Sequence, residues 1–336
     1  MIHTKFMLCC LLSVLLLSCS EDDDIVRHSE KNAIFVYMAA DNDLDYFAIQ
    51  NINQMERCFS ENQISNGVYV YVDRVKNRKT SHPCLYKVKA DNTDLIVSEI
   101  IKTYPEQNSS SADVFVSALK DAIAFSRKAN EQIKGIVLWS HGSAWLPKSE
   151  ILNSKRASTS STRSFGIDIT TEEPQEPYEM DIRELAERLR PFHYDFLVFD
   201  ACFMSSIEVL YEMRNSFDYI ISSPTEVLAT GFPYKEILPE LLSNSPNYSE
   251  IVEKYIAQYN EKKGVLKSAS MTVVKTSVLK SFSESLKELI NHDVTVPDIS
   301  TILQYDQEAT SWLFDIGGFV SLFKNSERKE LVIKLL

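Results

Sequence analysis

Short apolar runs alternate with stretches of helical periodicity along most of this chain. Residues 33–38 and 68–72 are continuous apolar runs, a pattern typical of strands buried on both faces of a sheet. Residues 44–58 and 111–129 carry apolar side chains at helical spacing, and Ser111 stands where a helix cap is expected. This alternation predicts an α/β fold with a mostly parallel sheet and helices on both of its faces.

Two later units repeat the strand pattern and end in reactive side chains. Residues 135–140 form a mostly apolar run that leads into His141, and residues 196–199 form another that leads through an Asp-Ala pair into Cys202. A helical pattern precedes each run. Because ligands and chemistry gather at the carboxyl ends of parallel strands, we expect His141 and Cys202 to lie side by side despite their separation in sequence.

The remaining pattern completes the sheet and its helices. We expect further strands at residues 84–88, 95–97, 219–222 and 269–274, and helices at 203–214 and 247–262. Residues 330–336 read as a helix still in progress, which leads to the hypothesis of a truncated C-terminus.

Cys202 and His141 together carry the elements of thiol catalysis. A thiol that opens the helix predicted at 203–214 has its pKa lowered by the free N–H groups of that helix end. His141 can serve as the base, and Gly142 leaves room for a substrate and offers an N–H donor. Taken singly, Cys202 could be a small buried thiol and His141 a core histidine; the matched pair favours catalysis.

The N-terminus differs from the rest of the chain. Lys5 precedes an apolar run at residues 6–17, which is too short to span a bilayer and predicts an export signal. The Leu-Leu-Ser-Cys tetrad that ends at Cys19 resembles the bacterial lipobox, in which the cysteine carries lipid; a plain secretion signal is the alternative. We therefore predict a signal peptide at residues 1–18, an acidic tether at 19–32 and anchoring through acyl chains.

Charge and cysteine content narrow the class of protein further. The net charge of −12 argues against nucleic acid as a partner. Beyond the signal the chain keeps Cys58, Cys84 and Cys202, an odd number that leaves at least one thiol unpaired. Cys58 and Cys84 are either a disulfide or two buried thiols.

The sequence gives little sign of a metal or cofactor. The six histidines are scattered without zinc-ligand spacing, and no glycine-rich phosphate loop is present. Asp41, Asp43 and Asp45 alternate as in calcium loops but lack the glycine and terminal glutamate of an EF-hand. We expect no metal and no cofactor, with calcium left open.

A polar segment separates the His and Cys units. Residues 154–163 are rich in Ser and Thr, without apolar periodicity, and carry Lys155, Arg156 and Arg163. We expect residues 146–178 to form an exposed, mobile loop of the kind that proteases cut.

The strand–Ser-His-Gly and strand–Asp-Ala-Cys units, together with the Val-Tyr-Met-Ala-Ala-Asp-Asn-Asp-Leu motif at residues 36–44, resemble the clostripain family of cysteine peptidases. This family is related to caspases, legumains and gingipains, and the resemblance extends over roughly residues 33–275. It implies a caspase-like three-layer sandwich for a peptidase domain at residues 33–336.

The resemblance also implies roles for individual residues. His141 would be the general base and acid, Cys202 the nucleophile, and the N–H groups of Gly142 and Cys202 the oxyanion hole. Asp200 would line the S1 pocket and favour Arg or Lys at P1; otherwise it is a strand-end carboxylate that caps the next helix. Thr230 stands where a second S1 acid is expected, and Glu226 or Asp168 are candidates to replace that acid.

Family zymogens are similar to this chain in carrying a basic loop that is cut on activation. The resemblance therefore implies cleavage within residues 148–163, at Lys155, Arg156 or Arg163, giving a light and a heavy chain that stay associated. A disordered insertion with incidental charge is the alternative. The function predicted is an endopeptidase anchored to the bacterial outer membrane; a transpeptidase of the same fold, or a non-catalytic binding lipoprotein, are the other hypotheses.

Overall fold

An eight-stranded sheet forms the centre of the molecule. The computed structural model describes residues 30–75, 82–145, 165–169, 178–292, 298–306 and 312–336. The strand order is β10-β9-β8-β5-β1-β2-β3-β4, and β9, β8, β5, β1 and β2 run parallel to one another. The strands are β1 Lys31–Ala40, β2 Gly67–Arg74, β3 Cys84–Lys87, β4 Glu99–Thr103, β5 Glu131–Trp139, β8 Tyr194–Asp200, β9 Phe217–Ser222 and β10 Thr272–Lys275.

Helices cover both faces of this sheet. Within the described residues they are α1 Asp45–Asn62, α2 Ala112–Lys128, α3 Ile182–Leu189, α4 Ile207–Met213, α5 Tyr234–Leu241, α6 Tyr248–Asn260, α7 Leu279–His292, α8 Ile316–Ser321 and α9 Ser326–Ile333. The core beneath α2, α3 and α4 lies on one face, and the core beneath α1, α5 and α6 lies on the other. The predicted three-layer α/β sandwich is confirmed.

The central strand β1 shows why the apolar runs are continuous. Residues Ala33 to Ala40 are all fully buried. Phe35 and Tyr37 point into one core, whereas Val36 and Met38 point into the other, because successive side chains of a strand face opposite sides. Because helices cover both faces of this strand, neither face is exposed to solvent and neither needs polar side chains.

Two sequence-based boundaries were wrong. The strand predicted at residues 95–97 is irregular, and β4 follows it at Glu99–Thr103. The helix predicted at 203–214 begins only at Ile207, with Ser206 as its N-cap. The strand predicted at 269–274 is β10, which pairs antiparallel with β9 at the edge of the sheet.

A second, two-stranded sheet is attached to the loops at the carboxyl ends of the main strands. It consists of β6 Phe165–Asp168 and β7 Tyr178–Met180, which pair antiparallel. The N–H of Gly166 donates to the carbonyl of His141 at 2.9 Å, and the N–H of Ile169 donates to the carbonyl of Asp41 at 3.0 Å. The strand β6 therefore braces the loops that follow β5 and β1.

No helix among the described residues is long and apolar enough to cross a membrane.

Candidate active site

Strand register brings His141 and Cys202 to the same edge of the sheet. Trp139, the last residue of β5, pairs with Asp200, the last residue of β8, in the parallel ladder. His141 and Cys202 each lie two residues beyond this pair. Because adjacent strands are about 4.8 Å apart, the backbones of the two residues leave neighbouring strands at the same edge of the sheet.

Gly142 documents how closely the two loops approach. A Cβ atom at position 142 would lie 2.6 Å from the carbonyl oxygen of Cys202 and 2.9 Å from the Cβ of Ala201. Real side chains do not tolerate such distances, so the close approach of the His loop to the Cys loop requires glycine here. The Gly of the Ser-His-Gly motif is thus explained by packing against the nucleophile loop.

Cys202 lies in a tight turn and not at a helix end, which corrects the sequence-based expectation. Phe203 adopts a left-handed conformation with a φ of 62°, and its N–H donates to the carbonyl of Thr225 at 3.0 Å. The helix starts only after Ser206, whose hydroxyl accepts from the N–H of Val209. The helix terminus therefore does not act directly on the thiol.

The thiol of Cys202 makes hydrogen bonds with both the N–H and the carbonyl of Val227. Its sulfur accepts from the N–H of Val227 at 3.2 Å, and its S–H donates to the carbonyl of Val227 at 3.6 Å. Burial raises the pKa of the Cys202 thiol; the Val227 N–H lowers it in part, and the negative charges of Glu226 and Asp200 raise it again. The expected depression of this pKa is therefore reversed in the observed conformation.

The other two described cysteines are also free thiols, so Cys58 and Cys84 form no disulfide. Burial raises the pKa of Cys58 to about 11 and also raises the pKa of Cys84. The Cys84 thiol donates to the backbone carbonyl of His82 at 3.2 Å, and the Cys58 sulfur accepts from the side-chain amide of Asn62 at 3.5 Å; in the described part of the chain neither thiol hydrogen-bonds a histidine ring.

His141 contacts a residue that the sequence pattern did not single out for this role. Its Nε2 lies 2.6 Å from Oδ1 of Asp43, in the loop between β1 and α1. Asp43 is separated from His141 by 98 residues, so only the pairing of β1 with β5 makes this contact. In the sequence, Asp43 stands out only as one of the alternating acids at 41, 43 and 45 and as part of the motif at residues 36–44, and neither pattern indicates a contact with His141.

Those three acids have different surroundings. Asp43 contacts His141, Asp45 forms an ion pair with Arg74 at 2.8 Å, and Asp41 is fully buried. Among the residues that the structure describes, no group of three His, Cys, Asp or Glu side chains is arranged to hold a metal ion.

Asp200 is buried behind the nucleophile and accepts two hydrogen bonds. Its Oδ2 accepts from the N–H of Phe232 at 3.0 Å and from the hydroxyl of Tyr234 at 2.8 Å. Burial raises the pKa of Asp200 to about 6, although both hydrogen bonds lower it. These donors come from the segment after β9, so Asp200 does not cap the helix that follows Cys202.

Two of the other predicted S1 residues, Thr230 and Glu226, lie in the same segment, and Asp168 lies on β6. Thr230 and Glu226 are exposed, and the carbonyl of Thr230 accepts from the side chain of Asn51 at 2.9 Å. Asp168 is buried on β6, where its Oδ2 accepts from the N–H of Ser109 at 2.7 Å. Of the two candidate replacements, Glu226 precedes Val227, which contacts the Cys202 thiol, whereas Asp168 is engaged with Ser109.

Four predicted site residues lie outside the described residues. They are Cys19 of the lipobox and Lys155, Arg156 and Arg163 of the loop.

A mostly parallel sheet with helices on both faces, and with a His and a Cys beyond neighbouring central strands, defines a caspase-like cysteine peptidase architecture. The model of the clostripain family, peptidase family C11, matches residues 36–329. This protein belongs to the clostripain family of cysteine peptidases.

Solved structures of the same family are similar over nearly the whole chain. A secreted C11 cysteine protease from Bacteroides thetaiotaomicron with an irreversible peptide inhibitor is 30% identical, with 91% of this chain and 82% of that chain covered and a TM-score of 0.69. An inactive zymogen C11 protease from Parabacteroides distasonis is 26% identical, with 90% and 80% covered and a TM-score of 0.71. No curated protein sequence matches.

Proposed function

We propose that this peptidase uses Cys202 as nucleophile and His141 as general base and acid. The observation that carries the proposal is the register of β5 and β8, which sets both residues two positions beyond the Trp139–Asp200 pair. The thiolate attacks the peptide carbonyl carbon, the amine leaves with a proton from His141, and a thioester remains. Water then cleaves the thioester, releasing the acid product and restoring the thiol.

The oxyanion formed during attack needs donors beside Cys202. The N–H groups of Gly142 and Cys202 are our candidates, since Gly142 packs directly against the Cys202 backbone. Donors fixed in the backbone need no rearrangement as negative charge develops on the oxygen.

We further propose cleavage after Arg or Lys, with Asp200 as the acid that binds the P1 side chain. With a pKa of about 6, Asp200 carries its charge at neutral and higher pH, where only two neutral donors compensate it. A cationic P1 side chain would supply the missing countercharge in a buried setting. Exposed Glu226, near Cys202, is the candidate second acid, because Thr230 offers only a hydroxyl.

Latency is part of the proposal. Val227 contacts the thiol through both its N–H and its carbonyl, and burial keeps the thiol neutral. A solved relative is described as an inactive zymogen. We propose that cleavage within 148–163, at Lys155, Arg156 or Arg163, lets the segment around Val227 withdraw, with the light and heavy chains remaining associated.

We also propose export as a lipoprotein of the outer membrane, with Cys19 acylated after removal of residues 1–18. Metabolic labelling with palmitate tests this proposal: wild type should incorporate the label and Cys19→Ala should not. Labelling of both wild type and Cys19→Ala, or of neither protein, contradicts acylation at Cys19.

A peptide library that varies P1 tests the catalytic proposal. Wild type should cleave after Arg and Lys, and Cys202→Ala should not cleave at all. Equal cleavage by both proteins would refute the nucleophile assignment. A preference of wild type for uncharged P1, unaltered by Asp200→Asn, would refute the S1 assignment alone.

Mass spectrometry combined with thiol labelling tests latency. The intact chain should react with iodoacetamide at Cys202 slowly, and reaction should accelerate on cleavage of the loop, while Cys58 stays slow. Intact chain with full peptidase activity would contradict activation by cleavage. An intact, inactive chain whose label rate at Cys202 is already fast would contradict the role of Val227.

A further inference from the structure

The contact between Asp43 and His141 is the starting point. Oδ1 of Asp43 and Nε2 of His141 are 2.6 Å apart, which is a short hydrogen-bond distance. We propose that Asp43 is a positioning residue that holds His141 in the tautomer and orientation needed for proton transfer. This inference rests on the proposed role of His141 and adds a residue to which no catalytic role was assigned.

The backbone around Asp43 is held firmly although its side chain is 83% exposed. The preceding residue, Asn42, is buried and donates from Nδ2 to the carbonyl of Ala39 at 3.0 Å and of Ile167 at 2.8 Å. Its Oδ1 accepts from the N–H of Leu44 at 2.9 Å. Asp43 therefore lies between two anchored residues, so its carboxylate is delivered from a fixed backbone.

His141 is anchored to the same loop from the other side. The hydroxyl of Ser140 donates to the carbonyl of Ala39 at 2.6 Å, and the carbonyl of His141 accepts from Gly166 on β6 at 2.9 Å. Ala39 thus accepts hydrogen bonds from both Ser140 and Asn42, the neighbours of His141 and Asp43. This shared acceptor fixes the separation of the two side chains at their backbones.

The chemical consequence concerns which ring nitrogen carries the proton. A neutral imidazole has one N–H, and a carboxylate only accepts, so Asp43 places that proton on Nε2. Nδ1 is then the nitrogen with the free lone pair, and among the described residues no hydrogen bond reaches it. Nδ1 takes the proton from the attacking thiol and returns it to the leaving amine, while Nε2–H stays on Asp43.

Exposure of Asp43 limits the electrostatic part of its effect. Water and salt screen an exposed carboxylate, so such a pair contributes little to stability. Orientation is different, because misplacing a catalytic group by about 1 Å costs about 100-fold in rate. We therefore expect loss of Asp43 to affect turnover far more than folding or substrate binding.

Kinetics of variants whose loop has been cleaved to the same extent within residues 148–163 test the positioning role. Asp43→Leu, which keeps the size but accepts no hydrogen bond, should lower kcat by about 10- to 100-fold with KM unchanged. Asp43→Asn, which keeps an acceptor without the charge, should retain an intermediate kcat. The matched control is Asp45→Asn, which removes the same charge two residues away and should change kcat less than about 2-fold. Equal kcat for wild type and Asp43→Leu would overturn the proposal.

A measurement that does not depend on activity separates this inference from the proposed function. ¹⁵N-histidine NMR of the full chain reports the tautomer of His141, assigned with His141→Gln. Wild type should show the proton on Nε2 at mildly alkaline pH, and Asp43→Leu should show a mixture of tautomers. An unchanged tautomer in Asp43→Leu would refute the positioning role. A wild type that stays inert after cleavage of the loop, while the tautomer changes as expected in Asp43→Leu, would instead count against the proposed peptidase site alone.

Discussion

Asp73 is a fully buried carboxylate at the end of β2, and its replacement by Asn should stabilise the protein in a pH-dependent way. Within the described part of the chain, neither carboxylate oxygen has a hydrogen-bond partner of ordinary geometry. Burial, together with the charges of Asp168 and Asp41, raises the pKa of Asp73 to about 8, and Ser109 offsets part of this rise. The folded protein therefore holds Asp73 neutral over most of the physiological range.

The sign and size of the effect follow from linkage between folding and protonation. The unfolded chain loses this proton near pH 3.9, so the stabilising contribution of protonated Asp73 is complete only below that pH and is lost as pH rises to about 8. Each pH unit in this window costs about 1.4 kcal/mol, which adds up to about 6 kcal/mol. Asn carries no charge and removes this pH dependence.

Urea unfolding in the Cys202→Ala background, which excludes self-digestion, measures the effect. The stability gain of Asp73→Asn over its parent should grow by about 1.4 kcal/mol per pH unit between about pH 4 and pH 8. Asp94→Asn, at a position whose side chain is 85% exposed, is the control and should show no such growth. A chelator excludes cations that could neutralise the carboxylate. A gain for Asp73→Asn that does not vary with pH would refute the assignment of a neutral buried Asp73.

Two further substitutions test the packing and polarity of the site. Gly142→Ala places a methyl group 2.6 Å from the carbonyl oxygen of Cys202. We expect this substitution to reduce peptidase activity and to lower the free energy of unfolding by about 1–3 kcal/mol. Unchanged activity and an unchanged melting temperature would contradict this packing. Tyr234→Phe removes a hydrogen-bond donor from the buried carboxylate of Asp200. We expect the free energy of unfolding to fall by about 1–3 kcal/mol at pH values above the Asp200 pKa of about 6, and by less below it. The reason is that the lost hydrogen bond favours the ionised carboxylate. Equal losses of unfolding free energy, measured by urea unfolding above and below this pKa, would show that the strength of the hydrogen bond does not depend on the charge of Asp200.

Much of the architecture follows from local patterns in the sequence. The runs that became β1, β5 and β8 are apolar without alternation because helices cover both faces of the sheet, and this is visible without a structure. Parallel strands bring their carboxyl ends to one edge, so the placement of His141 and Cys202 beyond β5 and β8 could be predicted as well. The sequence also singled out Gly142, but it did not indicate the packing against the Cys202 loop that requires glycine there.

Local patterns failed where the chain bends without changing its composition. Residues 203–214 have helical periodicity, yet the backbone N–H of Phe203 bonds to Thr225 and its φ is 62°. The better signal was the Ser205–Ser206 pair before an apolar run, since Ser is a favoured N-cap. Because the turn displaces the helix start, it also removed the expected influence of the helix terminus on Cys202.

The sequence by itself determined the class of fold, the two strand-end residues and the family resemblance, because each depends on runs of neighbouring residues. The partners of those residues were decided by the tertiary structure. Asp43 reaches His141, Val227 reaches Cys202, and Phe232 and Tyr234 reach Asp200. Each of these contacts joins segments 25 or more residues apart, and sheet order and loop packing, not periodicity, bring such segments within hydrogen-bond distance.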